Sequence, residues 1–488
     1  MTGFDVVVRG GTIATAADLY EADIGITGGV IAAIARDLPR GRVEHDARGR
    51  LVLPGGIDSH CHIDQPSSMG ATTADDFYTG GRSAAAGGTT TLIPFAAQFR
   101  GQSLRQVVDD YHARARNKAV IDYAFHLIVS DPTEAAMGQE LPALVREGIT
   151  SFKIYLTYDA LKLGDRQVLE VLSAARREGM LTMVHAENHD VIQWLSDRLL
   201  AAGHVAPKFH GVAHAAVAER EATGRAIALS EVTGTPILVV HVSGREAMET
   251  IRLAKDRGLR IYAETCPQYL FLSAEDLDRP GFDGAMCMCS PPPRAKDNQK
   301  HIWRGLANGA FDVFSSDHAP YLFNGPTGKR MNGDQPPFKK VANGVPGLAV
   351  RLPLLFSEGV RQGRIDIHQF VALTATNHAR LYGLFPRKGT IAIGADADLA
   401  VWDPDRAVTI TLPMLCDAMD YTPYEGRQIT GWPALTLSRG EVVYAHGEAT
   451  TSAGRGRFLA CAPPAAARPY ADTVEGFNPM TGEMAAGG

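Results

Sequence analysis

The sequence predicts an α/β fold in which a (β/α)8 TIM-like barrel carries a small β-sandwich domain formed from both chain ends. Between about residues 57 and 385, short β-branched runs alternate with longer stretches of helical periodicity, as parallel strands and crossover helices do. The stretches between the runs end in Gly or Asn, which is typical of helix ends. The predicted barrel strands are 56–62, 89–95, 121–129, 148–156, 181–187, 236–243, 259–266 and 312–318.

Both chain ends depart from this pattern. Residues 1–53 and 386–460 contain short strand-like runs separated by glycine turns, for example DVVVRGGTIAT and GTIAIGADADLAVWDP. We expect these segments to form one β-sandwich domain, with the barrel of residues 54–385 inserted between them. Residues 461–488 are rich in Pro, Ala and Gly and cannot build a core. This tail is expected to pack on the surface or on a neighbouring subunit, or to remain mobile.

The composition disfavours two classes of partner. The 488 residues include 54 acidic and 48 basic side chains, and the formal charge of -6 argues against nucleic acid or an anionic membrane. No apolar stretch approaches the roughly 20 residues of a membrane span, and the N-terminus lacks the pattern of a signal peptide. We therefore expect a cytoplasmic protein with reduced cysteines.

The segment PGGIDSHCH places two histidines, His60 and His62, at the end of the first predicted strand. Because alternate strand residues point to one face, both imidazoles are expected to face the barrel mouth and to share one cation. Three more predicted strands end on metal-binding residue types, namely His185, His241 and Asp317. Barrel enzymes keep their active sites at the carboxyl ends of the strands, so these side chains predict a metal centre there.

Lys153 lies on the fourth predicted strand at the same level. Its ammonium would repel a metal, but its amine can react with carbon dioxide to give an anionic carbamate whose two oxygens can bridge two cations. Four histidines, one aspartate and one carbamate would suit two zinc ions about 3.5 to 4 Å apart. Other histidines lack this placement and are expected to be structural: His126, His189, His204, His210 and His214.

Ordered motifs between about residues 3 and 450 resemble the amidohydrolase superfamily and, within it, the dihydropyrimidinase and hydantoinase group of cyclic amidases. The matching stretches include PGGIDSHCH, TTADDFYTG, SFKIYLTY, HAEN, ETCPQYLFL, CSPPPR, SSDHAP, NGVPG and PRKGTIAIGADADLAVWDP. So many motifs in order are far more specific than a single His-x-His pair. The resemblance also implies a homotetramer.

The resemblance implies a role for each candidate residue. The implied metal ligands are His60, His62 and Asp317 for the more buried ion and His185 and His241 for the other, with N6-carboxylated Lys153 between them. Tyr158 matches the tyrosine that donates a hydrogen bond to the oxyanion. Ser290 and Asn343 match positions that hydrogen-bond the cyclic amide or imide, largely through backbone groups.

The predicted function is the opening of the cyclic amide bond of dihydropyrimidines or 5-substituted hydantoins to give N-carbamoyl amino acids. Two cations would lower the pKa of a bridging water towards neutrality, and the resulting hydroxide would attack the ring carbonyl. One metal and the Tyr158 hydroxyl would stabilise the oxyanion. Asp317 would carry the proton from the hydroxide to the leaving ring nitrogen.

The loop after the second histidine departs from the family pattern. Relatives usually carry an apolar residue beside the substrate ring, where this chain has Asp64-Gln65-Pro66-Ser67-Ser68. Because Gln65 can both donate and accept hydrogen bonds, it is a candidate substrate contact for a ring with polar substituents. Ala349 also replaces an acidic residue common in the family.

Two alternatives remain open. A related hydrolase for another ring, such as a cyclic imide hydrolase or an allantoinase, would keep the same metals and differ in the loops at 64–70, 95–101 and 155–162. A noncatalytic interaction protein would keep the fold but lose metal ligands, and none is lost here. The sequence does not specify the native metal or the preferred enantiomer.

Overall fold

Aliphatic and β-branched runs form a parallel barrel in the computed structural model, which describes residues 3–67 and 70–484. The predicted strand order is confirmed, because each barrel strand pairs in parallel with the next along the chain. The barrel strands are Gly56–Asp58, Thr89–Leu92 continued by Phe95–Ala97, Asp122–Tyr123 continued by His126–Ile128, Ser151–Tyr155, Leu181–His185, Ile237–Val239, Ile261–Thr265 and Val313–Phe314.

The barrel closes between its last and first strands. Cys61 pairs in parallel with His318, and the backbone N–H of His62 donates to the His318 carbonyl oxygen at 2.7 Å. The Ser316 N–H donates to Asp58 Oδ1 at 3.2 Å. These contacts bring the His60 and His62 segment directly beside Asp317, although more than 250 residues separate them in sequence.

Several strands are shorter than predicted. The first strand ends at Asp58, so the expectation that His60 and His62 lie on a strand is wrong: both follow it in an extended segment that turns towards the last strand. The last strand likewise ends at Phe314, before Asp317. Asp317 and His241 have φ angles of 48° and 40°, a left-handed conformation that ends an extended strand.

Helices flank the barrel and pack apolar faces against it. Ser103 caps the helix Leu104–Ala115 by accepting a hydrogen bond from the Gln106 N–H at 3.3 Å, as an N-terminal Ser is expected to do. Every helix in the described ranges is too short or too polar to cross a bilayer. The α-helices are Thr79–Ala86, Leu104–Ala115, Leu141–Arg146, Asp165–Glu178, His189–Ala201, Lys208–Ala213, Ala216–Thr233, Arg245–Asp256, Gln268–Phe271, Gln299–Ala307, Arg351–Leu355, Ile367–Val371 and Asn377–Leu381.

Both chain ends contribute to one eight-stranded sheet. Leu51–Pro54 from the N-terminal end pairs antiparallel with Leu399–Thr409 from the C-terminal end, which joins the two segments. Trp402 and Trp432 are fully buried in this region. The strands of the sheet are Val6–Ala14, Leu19–Thr27, Val30–Ala35, Val43–Asp46, Leu51–Pro54, Leu399–Thr409, Gln428–Ser438 and Glu441–Ala445.

The Pro- and Ala-rich tail packs on the same chain's barrel. The backbone N–H groups of Cys461 and Tyr470 donate to the carbonyl oxygens of Gly148 and Gly234, which both lie shortly before the start of a barrel strand. The tail therefore covers the end of the barrel opposite the predicted metal centre. It finishes in the hairpin Phe477–Asn478 and Glu483–Met484, and residues 485–488 of the predicted tail lie outside the described ranges.

A buried ion cluster joins the barrel to the chain-end sheet. The Lys388 ammonium lies 2.7 Å from Asp122 Oδ2, at the start of the third barrel strand, and 2.7 Å from Asp398 Oδ2, beside the strand Leu399–Thr409. Asp396 Oδ2 is 3.0 Å away, and Arg439 contacts Asp122. Burial opposes the charge, but the three carboxylates hold the pKa of Lys388 above its usual value. Lys388 thus links acidic groups from both parts of the fold, and Arg439 and Arg387 add further positive charge to the cluster.

Replacing this cation should weaken the whole chain. Lys388→Met removes the cation that contacts Asp398 and leaves Asp122 and Asp396 with one arginine each, so we expect a loss of about 3 to 5 kcal/mol, measured by denaturant unfolding. Lys339→Met is the matched control, because Lys339 pairs with Asp197 at the surface and contributes little. Equal unfolding midpoints for the two variants would contradict a structural role of the cluster.

Candidate metal centre and active site

A cavity of about 150 Å³ opens at the carboxyl ends of the barrel strands. Most of the predicted site residues line it, and His60 lies fully buried behind it. The structure therefore brings together side chains that the sequence places far apart. The predicted residues on the cavity wall are His62, Gln65, Lys153, Tyr158, His185, His241, Ser290, Asp317 and Asn343.

His60, His62 and Asp317 form the centre of the site. His60 Nδ1 is 2.5 Å from Glu264 Oε1, and His62 Nδ1 is 2.9 Å from Gln65 Oε1. Because both Nδ1 atoms face acceptor oxygens, they carry the protons, and both Nε2 lone pairs point away from them. Each Nε2 meets the same carboxylate oxygen, Asp317 Oδ1, at 3.1 Å and 3.3 Å. Three lone-pair donors thus converge on one point.

This convergence requires a positive charge between the donors. The ligand atoms of His60, His62 and Asp317 all lie within 4.8 Å of one another. Burial would raise the pKa of Asp317, but the neighbouring imidazoles hold it well below its usual range, so the carboxyl is ionised. Burial lowers the pKa of His60, yet Glu264 and Asp317 raise it on balance, so a proton can occupy the gap. A divalent metal fits the donor set and displaces such a proton on binding.

His185 and His241 lie beside this set as a pair, with ring centroids 4.5 Å apart. His185 Nε2 contacts Glu187 Oε2 at 2.9 Å, which leaves its Nδ1 free of that carboxylate. His241 Nδ1 is buried, and within the described part of the chain it has no hydrogen-bond partner. Burial lowers the pKa of both imidazoles, so both are in the neutral form that binds metals.

Lys153 lies beside the predicted ligands. Its Nζ is 2.9 Å from His60 Nε2, and its side chain is almost fully buried, with 1% exposure. Burial lowers the pKa of its amine to about 8. A neutral amine is the nucleophilic form that reacts with carbon dioxide, so the position suits the predicted carbamate.

Backbone strain is concentrated at these residues. Tyr158, His241 and Asp317 have φ angles of 69°, 40° and 48°. Such left-handed conformations are uncommon for residues with a side chain and persist where the surrounding structure holds them. The fold therefore imposes the direction of three side chains that face the cavity.

Three further predicted residues face the cavity without belonging to the ligand cluster. Burial raises the pKa of Tyr158 far above its usual value, so its hydroxyl stays protonated and can donate a hydrogen bond. Its ring centroid is 5.3 Å from that of His185, and its hydroxyl hydrogen-bonds the Ser290 side chain. Asn343 Oδ1 is buried and accepts no hydrogen bond from the described residues. The cavity thus offers the Tyr158 hydroxyl as a donor, and Asn343 lies on the cavity wall with a buried amide oxygen.

Two neighbouring residues of the polar loop after His62 point in opposite directions. Asp64 turns outwards to Arg114 and Lys118, at 3.6 Å and 3.5 Å. Gln65 turns inwards, where its oxygen accepts from His62 and its side chain also lines the cavity. Ser68, part of the loop singled out in the sequence, lies outside the described residues.

Comparison with known proteins agrees with this geometry. The sequence profile of the amidohydrolase family matches residues 51–443. The chain belongs to the amidohydrolase family. D-hydantoinase from Ralstonia pickettii is 42% identical over 456 residues, which cover 93% of this chain and 98% of that protein. D-hydantoinase from Geobacillus stearothermophilus is 43% identical over 93% of this chain and 96% of its own length. The crystal structure of dihydropyrimidinase from Brevibacillus agri has a TM-score of 0.91 and 42% identity, over 94% of this chain and 99% of that one.

Sequence reasoning missed the acidic residues that support the ligands in this amidohydrolase. Glu264 Oε1 contacts His60 Nδ1 and also accepts from the His241 N–H at 3.0 Å. Glu187 contacts His185 and, through its other oxygen, His214 Nδ1 at 2.9 Å. Metal-binding histidines usually donate their second N–H to a carboxylate. Glu264 is the next-to-last residue of the seventh barrel strand, Ile261–Thr265, which carries no predicted ligand. Its position near the strand end is the signal that could have identified it.

The supporting role of Glu264 predicts weaker metal binding in its amide variant. Glu264→Gln removes the charge that strengthens the His60 donor, so we expect a 10- to 100-fold lower affinity for zinc, about the usual cost of losing such a partner. Competition with a chromogenic chelator measures the affinity. The control is Asp122→Asn, because Asp122 is equally buried but contacts Lys388 at the opposite end of the barrel. Equal affinities in the two variants would exclude the supporting role.

Proposed function

We propose that this amidohydrolase is a binuclear metal-dependent hydrolase that opens the cyclic amide bond of dihydropyrimidines or 5-substituted hydantoins to give N-carbamoyl amino acids. The convergence of the His60, His62 and Asp317 lone pairs beside the His185 and His241 pair carries the proposal. The relatives named D-hydantoinase and dihydropyrimidinase support the substrate class. Their names also favour the D-enantiomer of 5-substituted hydantoins.

His60, His62 and Asp317 would hold one ion, and His185 and His241 the other, with carboxylated Lys153 between them. When bound, divalent cations polarise a carbonyl oxygen and lower the pKa of a water molecule towards neutrality. The paired His and carboxylate donors suit zinc. Zinc as the native metal, the carbamate, the homotetramer and a cytoplasmic location are all part of this proposal, and metal analysis, mass spectrometry, light scattering and cell fractionation test them in turn.

Asp317 is the group that moves the proton. Its carboxylate is ionised and faces the cavity, so it can accept a proton from the attacking water. It then returns this proton to the ring nitrogen as the carbon–nitrogen bond breaks. The left-handed backbone at Asp317 fixes the carboxylate between the His60 and His62 rings and the cavity. Water is consumed, and the ring nitrogen leaves protonated.

Tyr158, Ser290 and Asn343 orient the ring and stabilise charge. The protonated Tyr158 hydroxyl donates to the oxygen that becomes negative when the ring carbonyl is attacked. Asn343 lies on the cavity wall and would hydrogen-bond the ring largely through its backbone groups, and Ser290 fixes the Tyr158 hydroxyl. Cyclic amides and imides both present an N–H flanked by carbonyl oxygens, so these groups suit the proposed substrate class.

A second candidate substrate class follows from two polar residues on the cavity wall. Gln65 and Ser67 both line the cavity near His62. An amide and a hydroxyl there favour a ring with polar substituents, as in cyclic imides or allantoin, over one with a large apolar side chain. Hydrolysis of succinimide or allantoin faster than of hydantoin and dihydrouracil would establish this alternative.

The proposed reaction is tested by turnover of hydantoin, dihydrouracil, succinimide and allantoin by protein supplied with zinc and bicarbonate. We expect hydrolysis by the wild type and a loss of at least about 10³-fold in Lys153→Arg, because Arg keeps the positive charge but cannot form the bridging carbamate. No turnover of any ring by zinc-loaded wild type would instead indicate the noncatalytic alternative. Full activity in Lys153→Arg would contradict the carbamate.

Removing the Tyr158 hydroxyl should affect only the transition state. Tyr158→Phe keeps the ring that contacts His185, so we expect kcat and kcat/KM to fall together by about 10²- to 10³-fold, the usual effect of losing one oxyanion donor. Zinc content should match the wild type. A rise in KM with an unchanged kcat would show that Tyr158 binds the ground state instead.

A further inference from the structure

Lys329 is a buried lysine that the proposed reaction does not use. It lies in a mostly exposed surface segment, residues 324–335, yet its side chain has 0% exposure. Its backbone N–H donates to the Leu322 carbonyl oxygen at 2.8 Å, and a side chain at Gly328 would collide with that same oxygen. The tight turn therefore directs the lysine inwards.

The Lys329 ammonium donates only to backbone carbonyl oxygens. Its Nζ lies 2.7 Å from the Gly344 oxygen, 2.9 Å from the Ala342 oxygen and 3.4 Å from the Met288 oxygen. The Gly344 N–H in turn donates to the Met288 oxygen at 2.9 Å. One cation thus joins two separate segments of the chain, 288–290 and 342–344.

Both segments form the wall of the cavity. Ala342 and Gly344 flank Asn343, whose side-chain oxygen is buried and free, and Met288 precedes Cys289 and Ser290, which line the cavity. The far side of the 288–290 segment is held by His210, whose Nε2 lies 2.8 Å from the Cys289 oxygen. Lys329 supplies the corresponding restraint on the side of Asn343.

A buried ammonium is costly unless several acceptors surround it. Burial lowers the pKa of the Lys329 amine to about 7, so the position by itself disfavours the charge. The three carbonyl oxygens stabilise the ammonium form of Lys329. In return, Lys329 supplies each of them with a hydrogen-bond donor. These hydrogen bonds fix the carbonyl groups of Ala342 and Gly344, which lie on either side of Asn343.

We propose that Lys329 is a positioning residue for substrate binding, which holds the backbone around Asn343 and Ser290 in the conformation that binds the cyclic amide. This inference rests on the proposed function for its kinetic part only. Lys329 does not touch the cavity, so it acts through the two segments. Its loss should weaken substrate binding while leaving the metal ligands and the proton transfer by Asp317 in place.

The test compares Lys329→Met with Lys388→Met, a second buried lysine whose cluster lies at the other end of the barrel. In Lys329→Met we expect KM to rise about tenfold with kcat within about twofold, the effect of impaired hydrogen bonding in the bound ground state. Lys388→Met should lose stability with KM unchanged. Zinc content should match the wild type in both variants.

Hydrogen exchange supplies a readout that needs no substrate. The amide of Gly344 and the peptide that covers residues 288–290 should both exchange faster in Lys329→Met than in the wild type. The strand Leu181–His185 should stay as protected as in the wild type. Inactivity of the wild type would count against the proposed function and leave this measurement valid. If Lys329→Met does not fold, Lys329→Gln, which keeps two N–H donors, is compared in the same way. Unchanged KM and unchanged exchange at Gly344, or exchange raised equally in every segment, would overturn the inference.

Discussion

The structure depends on one electrostatic constraint, the meeting of three lone-pair donors in a buried space. His60 Nε2 and His62 Nε2 lie 3.1 Å and 3.3 Å from the same Asp317 oxygen. Such an arrangement is repulsive unless a proton or a metal lies between the donors. Glu264 and Gln65 maintain it, because they hold the protons of both rings on the opposite nitrogen. The cavity, the strained backbone and the proposed chemistry are all arranged around this point.

The barrel brings these three side chains together because the carboxyl ends of all its parallel strands lie at the same face. The contact between Cys61 and His318 closes the barrel and sets the first and last strands side by side. At the opposite end the tail and the Lys388 cluster fix the barrel to the chain-end sheet. The Lys388 cluster and the tail thus reinforce one end of the barrel, while the candidate metal centre with its strained residues Tyr158, His241 and Asp317 occupies the other, as is usual where binding or catalysis occurs.

The order of the barrel strands could be predicted from hydrophobic periodicity, and the candidate ligands from their positions at predicted strand ends. Strand lengths could not, because the left-handed conformations of His241 and Asp317 are set by tertiary contacts. Glu187 was missed because a single buried carboxylate leaves no periodic signal, whereas the position of Glu264 near the end of a barrel strand could have identified it. The packing of the tail against Gly148 and Gly234 was not predictable either, because a Pro-, Ala- and Gly-rich composition does not specify which surface the segment covers.

The central claim is that cations and a carboxylated lysine occupy this pocket. X-ray diffraction at the zinc absorption edge, from crystals grown with zinc and bicarbonate, tests it most directly. We expect one anomalous peak among His60, His62 and Asp317, a second beside His185 and His241, and continuous density beyond the amine of Lys153. An absence of both peaks, with an unmodified Lys153 donating to His60, would contradict the account.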